Sequence, residues 1–275
     1  MPTENTTISQ EVVSGSVAGF TEVFVDHPLW TIKTRMQSHQ PFSWSPRVLY
    51  RGMLPNAASM APITAIQMAV KQAFQNVFFL DSPNHTSQQE VVSAYAGGVF
   101  AATVACPVEM VMTHMKEGEK FTPTARALIK QAGPGHIYSG FTMTAMRDGF
   151  FAVGFMAAPK VLKPMFRSYV KSDNQASLLS KVAAGVGAAV VSQAFDTVKT
   201  VQQASEKGMK LFDAAKKPYA NHGVAGYFRG GLPRGVRVAS AVCIMSSVNE
   251  HMNAFFKSTN EVENNDKRVE NTRSR

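Results

Sequence analysis

Four charged residues stand out because they interrupt stretches of the chain that are otherwise apolar. Arg147 and Asp148 are adjacent, and Arg234 and Arg237 lie one helical turn apart. Ionisable groups inside apolar segments are unfavourable, so they usually mark the path of a substrate or an ion. Guanidinium groups present a planar set of donors that suits carboxylate and phosphate. Three arginines against one aspartate leave an excess of positive charge, which predicts an anionic small-molecule ligand.

Other kinds of chemistry have little support in the sequence. The seven histidines show no metal-ligand spacing, and the two cysteines, Cys106 and Cys243, are far apart. No Gly-rich phosphate loop and no Gly-x-Ser-x-Gly elbow is present. The basic residues are dispersed among segments without a stacking module, which argues against a nucleic-acid partner. We therefore predict a protein that is not an enzyme and has no metal and no catalytic cofactor.

The composition indicates which elements position these residues. The 275 residues are 45% hydrophobic and only 17% charged, with a net charge of +9, whereas soluble domains carry about 25% charged residues. Segments 52–70 and 91–108 contain no charged residue and are long enough to span a bilayer. Apolar spans in lipid must be helices, because every backbone polar group has to be satisfied internally. The predicted helices are 9–37, 53–79, 89–116, 142–169, 177–206 and 232–257.

A threefold internal repeat organises these helices. The steps Tyr50-Arg51-Gly52, Tyr138-Ser139-Gly140 and Phe228-Arg229-Gly230 recur at intervals of roughly 90 residues, and a related segment precedes each of them, at 28–35, 107–114 and 194–201. Small residues at i and i+4, such as Gly15 and Gly19, allow helix backbones to approach closely. The predicted organisation is a polar N-terminal segment (1–8), three repeats (9–84, 85–173 and 174–257) and a disordered polar C-terminal tail (258–275).

These repeated segments resemble the mitochondrial carrier family, whose repeat reads Pro-x-acid-x-x-base-x-base, a loop and then aromatic-base-Gly. The resemblance covers roughly residues 8–257. It implies an all-α membrane protein in which six transmembrane helices form three hairpins with pseudo-threefold symmetry around a central cavity. It further implies an alternating-access transporter of the mitochondrial inner membrane that functions as a monomer. An even number of spans places both termini on the intermembrane-space side.

The resemblance implies a gate on the matrix side, made from the acid of each repeat and the base of the next. Carried over to this chain, the pairs are Trp30 with Met112, Glu109 with Lys199, and Asp196 with Lys33. The first pair has lost both charges together, and an indole beside a thioether is a favourable contact. Family members place glutamines one turn further on to brace the ion pairs, at the positions of Gln37 and Gln203.

A second gate in the family closes the opposite side with an aromatic-acid-x-x-base motif on the even-numbered helices. The matching positions here are Gln72, Gln75, Lys160, Lys163 and Glu250, of which one is acidic. We expect weak closure on this side. The aromatic-base-Gly steps imply lipid contacts as well, because helix N-termini attract anions. Structural cardiolipin is expected at Arg51 and Gly52, at Gly140, and at Arg229 and Gly230.

The family's central site lies seven or eight positions beyond each aromatic-x-Gly glycine. In this chain it comprises Ser59, Arg147, Asp148, Arg234 and Arg237. The positive excess and Trp30 in place of a motif acid favour a nucleotide such as ATP or ADP. The adjacent Arg147-Asp148 pair is instead similar to carriers of amino acids or carnitine. A further alternative is a membrane adaptor that no longer transports, and the polar tail resembles export signals of bacterial effectors, which suggests delivery by a pathogen.

Overall fold

The fold consists entirely of helices in the part of the chain that the structure describes. This computed structural model describes residues 8–37, 41, 43–79, 86–115, 119–205 and 209–273. The helices in chain order are α1 (Ile8–Gln37), α2 (Pro46–Leu49), α3 (Met53–Phe78), α4 (Ser87–His114), α5 (Phe121–Ala132), α6 (Phe141–Ala152), α7 (Ala158–Arg167), α8 (Asp173–Val191), α9 (Gln193–Gln203), α10 (Leu211–His222) and α11 (Gly231–Arg273). A long helix, a short helix and a second long helix follow one another three times.

The long helices match the six predicted segments, with two interruptions. A π-helical turn, Val153–Ala157, joins α6 to α7, and α8 and α9 are bent by 53° at Ser192. Among the described residues, α4 alone is long and apolar enough to cross a membrane by itself, and α8 with α9 qualifies as one bent span. The other long helices contain more charged or polar residues, which lowers their mean hydropathy.

The C-terminal end of the repeat array differs from the sequence-based expectation. Composition predicts a disordered tail from residue 258, whereas α11 continues through this segment to Arg273. The segment contains no proline and no glycine, so nothing in its backbone chemistry stops a helix that has already been nucleated. In the first repeat the connecting helix α2 is a single turn, against 12 residues in α5 and in α10.

The three motif glycines share one backbone conformation. Gly52, Gly140 and Gly230 have φ values of 78°, 81° and 77°. Each immediately precedes the second long helix of its repeat, which is α3, α6 or α11. Residues with a Cβ rarely adopt this left-handed conformation, which explains why glycine recurs at this position in the repeat. The chain can therefore turn sharply at the same end of the bundle three times.

Small residues in α4 set the distance between helices. A Cβ added to Gly98 would lie 2.2 Å from the carbonyl oxygen of Asp148 on α6, and one added to Gly97 would lie 2.5 Å from the Gln67 carbonyl oxygen on α3. Gly19 on α1, by contrast, has nothing within 4 Å of its added Cβ. Close backbone approach is thus found at Gly97 and Gly98 of α4, and also at Gly154 and Gly226, but not at Gly19, so the expectation drawn from Gly19 was wrong.

Candidate functional site

Both predicted ion pairs are formed where the ends of α1, α4 and α9 meet. Lys33 Nζ lies 2.5 Å from Asp196 Oδ2, and Lys199 Nζ lies 2.7 Å from Glu109 Oε2. The Asp196 side chain is 1% exposed and the other three are buried or nearly so. Charged groups at this depth require close counter-charges. The two ion pairs thereby tie the first and second repeats to the third.

The third predicted pair belongs to an apolar cluster. Trp30 and Met112 are both buried and share this cluster with Val111, Met115 and Leu128. The Trp30 ring also stacks on the ring of His27, with centroids 5.3 Å apart. Trp30 and Met112 replace both the acid and the base of the family's ion pair, so neither position leaves an unpaired charge.

Arg147 lies in the same cluster of charges and contacts three carboxylates. Its guanidinium nitrogens lie 2.7 Å from Asp148, 3.0 Å from Glu109 and 3.4 Å from Asp196. The sequence-based expectation placed Arg147 in the cavity to meet the substrate, but in this state it bridges the acids of both ion pairs. We call Lys33, Glu109, Arg147, Asp148, Asp196 and Lys199 the gate cluster. A buried guanidinium with several donors satisfies carboxylates from three helices at once.

The other predicted substrate residues differ in how firmly their side chains are held by neighbouring groups. Arg234 donates to Ser192 Oγ at 2.7 Å and lies 3.9 Å from Asp196, which ties it to the break between α8 and α9. The Ser59 hydroxyl donates to the Asn56 carbonyl oxygen of its own helix at 2.7 Å. Arg237 has the most exposed side chain of these three, at 28%, and its Nε has no hydrogen-bond partner.

Two acids that sequence reasoning missed face α11. Glu22 Oε1 lies 3.0 Å from Arg237 Nη2, and Asp26 Oδ1 accepts a hydrogen bond of 2.8 Å from Ser240. Helical periodicity could have found them, because positions seven and eleven residues before Lys33 fall on the same face of α1. Both carboxylates therefore lie on the face of α1 that also carries Lys33, and both contact α11.

These two acids remove the positive excess that the sequence predicted. The contacts described above involve five bases, Lys33, Arg147, Lys199, Arg234 and Arg237, and five acids, Glu22, Asp26, Glu109, Asp148 and Asp196. Five bases face five acids. The expectation of a positive excess was wrong, because it counted only charged residues of α6 and α11 and left out the acids of α1, α4 and α9.

Gln203, one of the two glutamines predicted to brace the ion pairs, differs from the family pattern. The Gln203 amide donates to the Ser139 carbonyl oxygen at 3.2 Å, and its Oε1 is buried without a partner. It therefore braces the junction before α6 and leaves the Lys199–Glu109 pair to Arg147. The side chain of Gln37 lies outside the described residues.

The opposite end of the bundle uses an acid that the motif did not include. Glu90, near the start of α4, lies 2.8 Å from Lys71 on α3 and 2.6 Å from Lys160 on α7. Lys163 pairs instead with Asp173 at 2.7 Å. The expected partner of Lys160, Glu250, has a side chain outside the described residues, as does Asn253. Gln72 is exposed and Gln75 is partly buried.

The predicted lipid positions lie at the starts of α3, α6 and α11. A cleft of about 330 Å³ opens beside Gly140, lined by residues of the turn before α6 together with Gln202 and Leu211. At the third position the Arg229 guanidinium lies 2.6 Å from His222 Nε2. At the first, His27 Nε2 lies 2.8 Å from the Arg51 carbonyl oxygen, which fixes the turn ahead of Gly52.

Comparison with known proteins agrees with this architecture. The chain matches the family described as "Mitochondrial carrier protein" over residues 4–48, 83–170 and 171–260. It is 28% identical to the mitochondrial glycine transporter of Xenopus tropicalis, covering 87% of this chain and 88% of that protein. It is also 28% identical to mitochondrial glycine transporter B of Danio rerio (87% and 93%), and 24% identical to mitoferrin of Dictyostelium discoideum (87% and 92%). The chain belongs to the mitochondrial carrier family, whose members are membrane transporters and not enzymes.

Proposed function

We propose that this carrier moves a small zwitterionic metabolite, an amino acid, across the mitochondrial inner membrane by alternating access. The observation that supports this proposal is the balance of five bases and five acids along the lining of the bundle. A zwitterion adds no net charge to such a lining. Its carboxylate can meet a guanidinium, and its ammonium group can meet a carboxylate.

Arg237 is the best candidate for the substrate carboxylate. Its side chain is more exposed than those of Arg147 and Arg234, and its Nε is free to donate. Asp148 is an acid within the same lining that can receive the ammonium group. Two of the relatives reported above are glycine transporters by name, which favours an amino acid over a nucleotide. A nucleotide polyphosphate would bring several negative charges to a lining without positive excess.

We assign the gate cluster to the matrix side and both termini to the intermembrane space. In this assignment the gate cluster and the Trp30–Met112 contact close the matrix entrance, while Glu90 with Lys71 and Lys160 holds the opposite end. Anionic lipid, with cardiolipin as the expected species, binds at the starts of α3, α6 and α11, and the monomer is the transporting unit. Helix starts with free amide groups and nearby arginines favour such headgroups.

Uptake into proteoliposomes tests this function. We expect saturable uptake of labelled glycine or another small amino acid, little uptake of ATP, and loss of at least about tenfold in Arg237→Ala. Arg126→Ala is the matched control, because Arg126 is an exposed base on the short helix α5. Saturable flux of ATP alone would refute the zwitterion proposal. No flux of amino acids, carnitine or ATP would favour the adaptor that does not transport.

A further inference from the structure

Two buried acids lie one turn apart on α1. Glu22 is 3% exposed and Asp26 is 1% exposed. Residues spaced by four on a helix have Cβ atoms about 5–6 Å apart on one face, so the two carboxyl groups are neighbours. They face α11, which packs along α1. We call Glu22 and Asp26 the acid pair.

The acid pair has fewer partners than two carboxylates require. Glu22 Oε1 contacts Arg237 at 3.0 Å, and Asp26 Oδ1 accepts from Ser240 at 2.8 Å. The second oxygens, Glu22 Oε2 and Asp26 Oδ2, are buried and have no hydrogen-bond partner. One guanidinium and one neutral hydroxyl therefore serve two carboxyl groups, and two oxygen atoms remain unsatisfied.

The other charged groups on the neighbouring helices are already engaged. On α11, Arg234 donates to Ser192 and Gln193; on α9, Asp196 and Lys199 belong to the gate cluster, together with Lys33 of α1; on α3, Lys71 pairs with Glu90. His27, on α1 itself, contacts the Arg51 carbonyl oxygen and Asn56. Among the described residues, the acid pair thus keeps one negative charge more than its surroundings neutralise.

A proton is the smallest cation that can remove this excess. An unpaired buried carboxylate is strongly unfavourable, and proteins relieve it by protonation. Two carboxyl groups that share one site do not both ionise readily, because the second charge is repelled by the first. A shared proton would also supply a donor to the oxygen atoms that have none. A metal or organic cation has no comparable access to side chains that are 1% and 3% exposed.

We propose that Glu22 and Asp26 together bind one proton while the gate cluster is closed, and that the carrier moves this proton with its substrate. The proton comes from water and converts one carboxylate to a carboxylic acid. When α1 and α11 separate during the cycle, water reaches the acid pair and favours the ionised form, so the proton returns to water on that side. The step forms and breaks one O–H bond and needs no other reactant.

Infrared spectroscopy of the purified carrier tests proton binding without any substrate. We expect a carbonyl stretch from a protonated carboxyl group at pH 7, which titrates away at higher pH. Asp26→Asn or Glu22→Gln should abolish this band, and Asp213→Asn, at an exposed position of α10, should leave it unchanged. If the band is absent, or is unaffected by both acid-pair variants, the proposal is overturned. Should both variants fail to fold, Ser240→Ala provides the test: loss of its hydrogen bond must shift the titration of the band to higher pH.

Glycine uptake tests whether the proton moves with the substrate, a step that rests on the proposed function. With one proton per glycine, an inward gradient of one pH unit drives about tenfold accumulation. Asp26→Asn should lose this response and keep exchange at equal pH. A wild-type uptake that ignores the gradient refutes the coupling. If wild-type protein does not transport glycine at all, the proposed function fails, and the infrared result still decides the proton site.

Discussion

Asp196 is predicted to contribute more to stability than the lysine with which it pairs. Its buried carboxylate lies 2.5 Å from Lys33, 3.4 Å from Arg147 and 3.9 Å from Arg234. Replacement of Asp196 by asparagine leaves three cations without this counter-charge. Replacement of Lys33 by methionine leaves the same carboxylate with two arginines. The two halves of one ion pair should therefore have unequal effects.

The magnitudes follow from these contacts. Removal of one partner from a buried ion pair destabilises by about 3–5 kcal/mol, and we assign this range to Asp196→Asn. Loss of one hydrogen bond to a charged group that keeps other partners costs about 1.5–3 kcal/mol, and we assign this range to Lys33→Met. The double variant Lys33→Met/Asp196→Leu should not recover the wild-type value, because Arg147 and Arg234 still lose the carboxylate.

The two cysteines provide the assay. Cys106 is buried and Cys243 is exposed, so a Cys243→Ser background limits a thiol-reactive fluorophore to molecules that have unfolded around Cys106. Thermal midpoints in detergent should fall in the order wild type, Lys33→Met, Asp196→Asn. The exposed change Asp213→Asn is the control and should not move the midpoint. If Lys33→Met destabilises as much as Asp196→Asn, the three-cation account of Asp196 is wrong.

Three further changes test the packing and the two ends of the bundle. Gly98→Ala should destabilise by about 1–3 kcal/mol, since its Cβ meets backbone at 2.2 Å, while Gly187→Ala, with open space around its Cβ, should be neutral or stabilising; thermal midpoints of the two variants compare them. Glu90→Gln should lower the thermal midpoint only at low salt, because each lost ion pair contributes about 0–1 kcal/mol to the free energy of unfolding. At high salt the midpoint of the variant should equal that of the wild type. Burial, and secondarily the charge of His114, lowers the pKa of His136 below its usual 6.5; its neutral form is thus favoured in the fold, and this stability falls as the pH drops below 6.5. His136→Gln should flatten that decline in midpoints measured from pH 7 to 5, and an unchanged slope would contradict it.

Helix positions could be predicted from the sequence because their causes are local. A long apolar stretch must be helical in lipid, and a glycine that adopts φ near +80° marks the start of the next helix. The ion pairs Lys33–Asp196 and Lys199–Glu109 could be paired in advance because the repeated segments resemble the carrier motif, and in that family the acid of each repeat pairs with the base of the next.

The structure differed from expectation where a side chain has a partner that the repeated motif does not specify. Glu90 pairs with two lysines from different repeats, and no motif position pointed to it. Arg147 lies among three carboxylates, although its position on α6 had suggested that its side chain faces an open cavity. Gln203 donates to a backbone carbonyl oxygen before α6 and does not reach the ion pair beside it.

The sequence by itself determined the helices, their threefold order and the face of each helix that is charged, because these follow from the spacing of residues along one chain segment. Only the tertiary structure decided the charge balance of the lining. The two negative charges of Glu22 and Asp26 outnumber the single positive charge of Arg237 because α1 packs against α11 at a particular rotation and height. Spacing along one helix fixes the direction of a side chain, whereas the charge it meets depends on how far the neighbouring helix is rotated and shifted, and packing of the whole bundle sets that geometry.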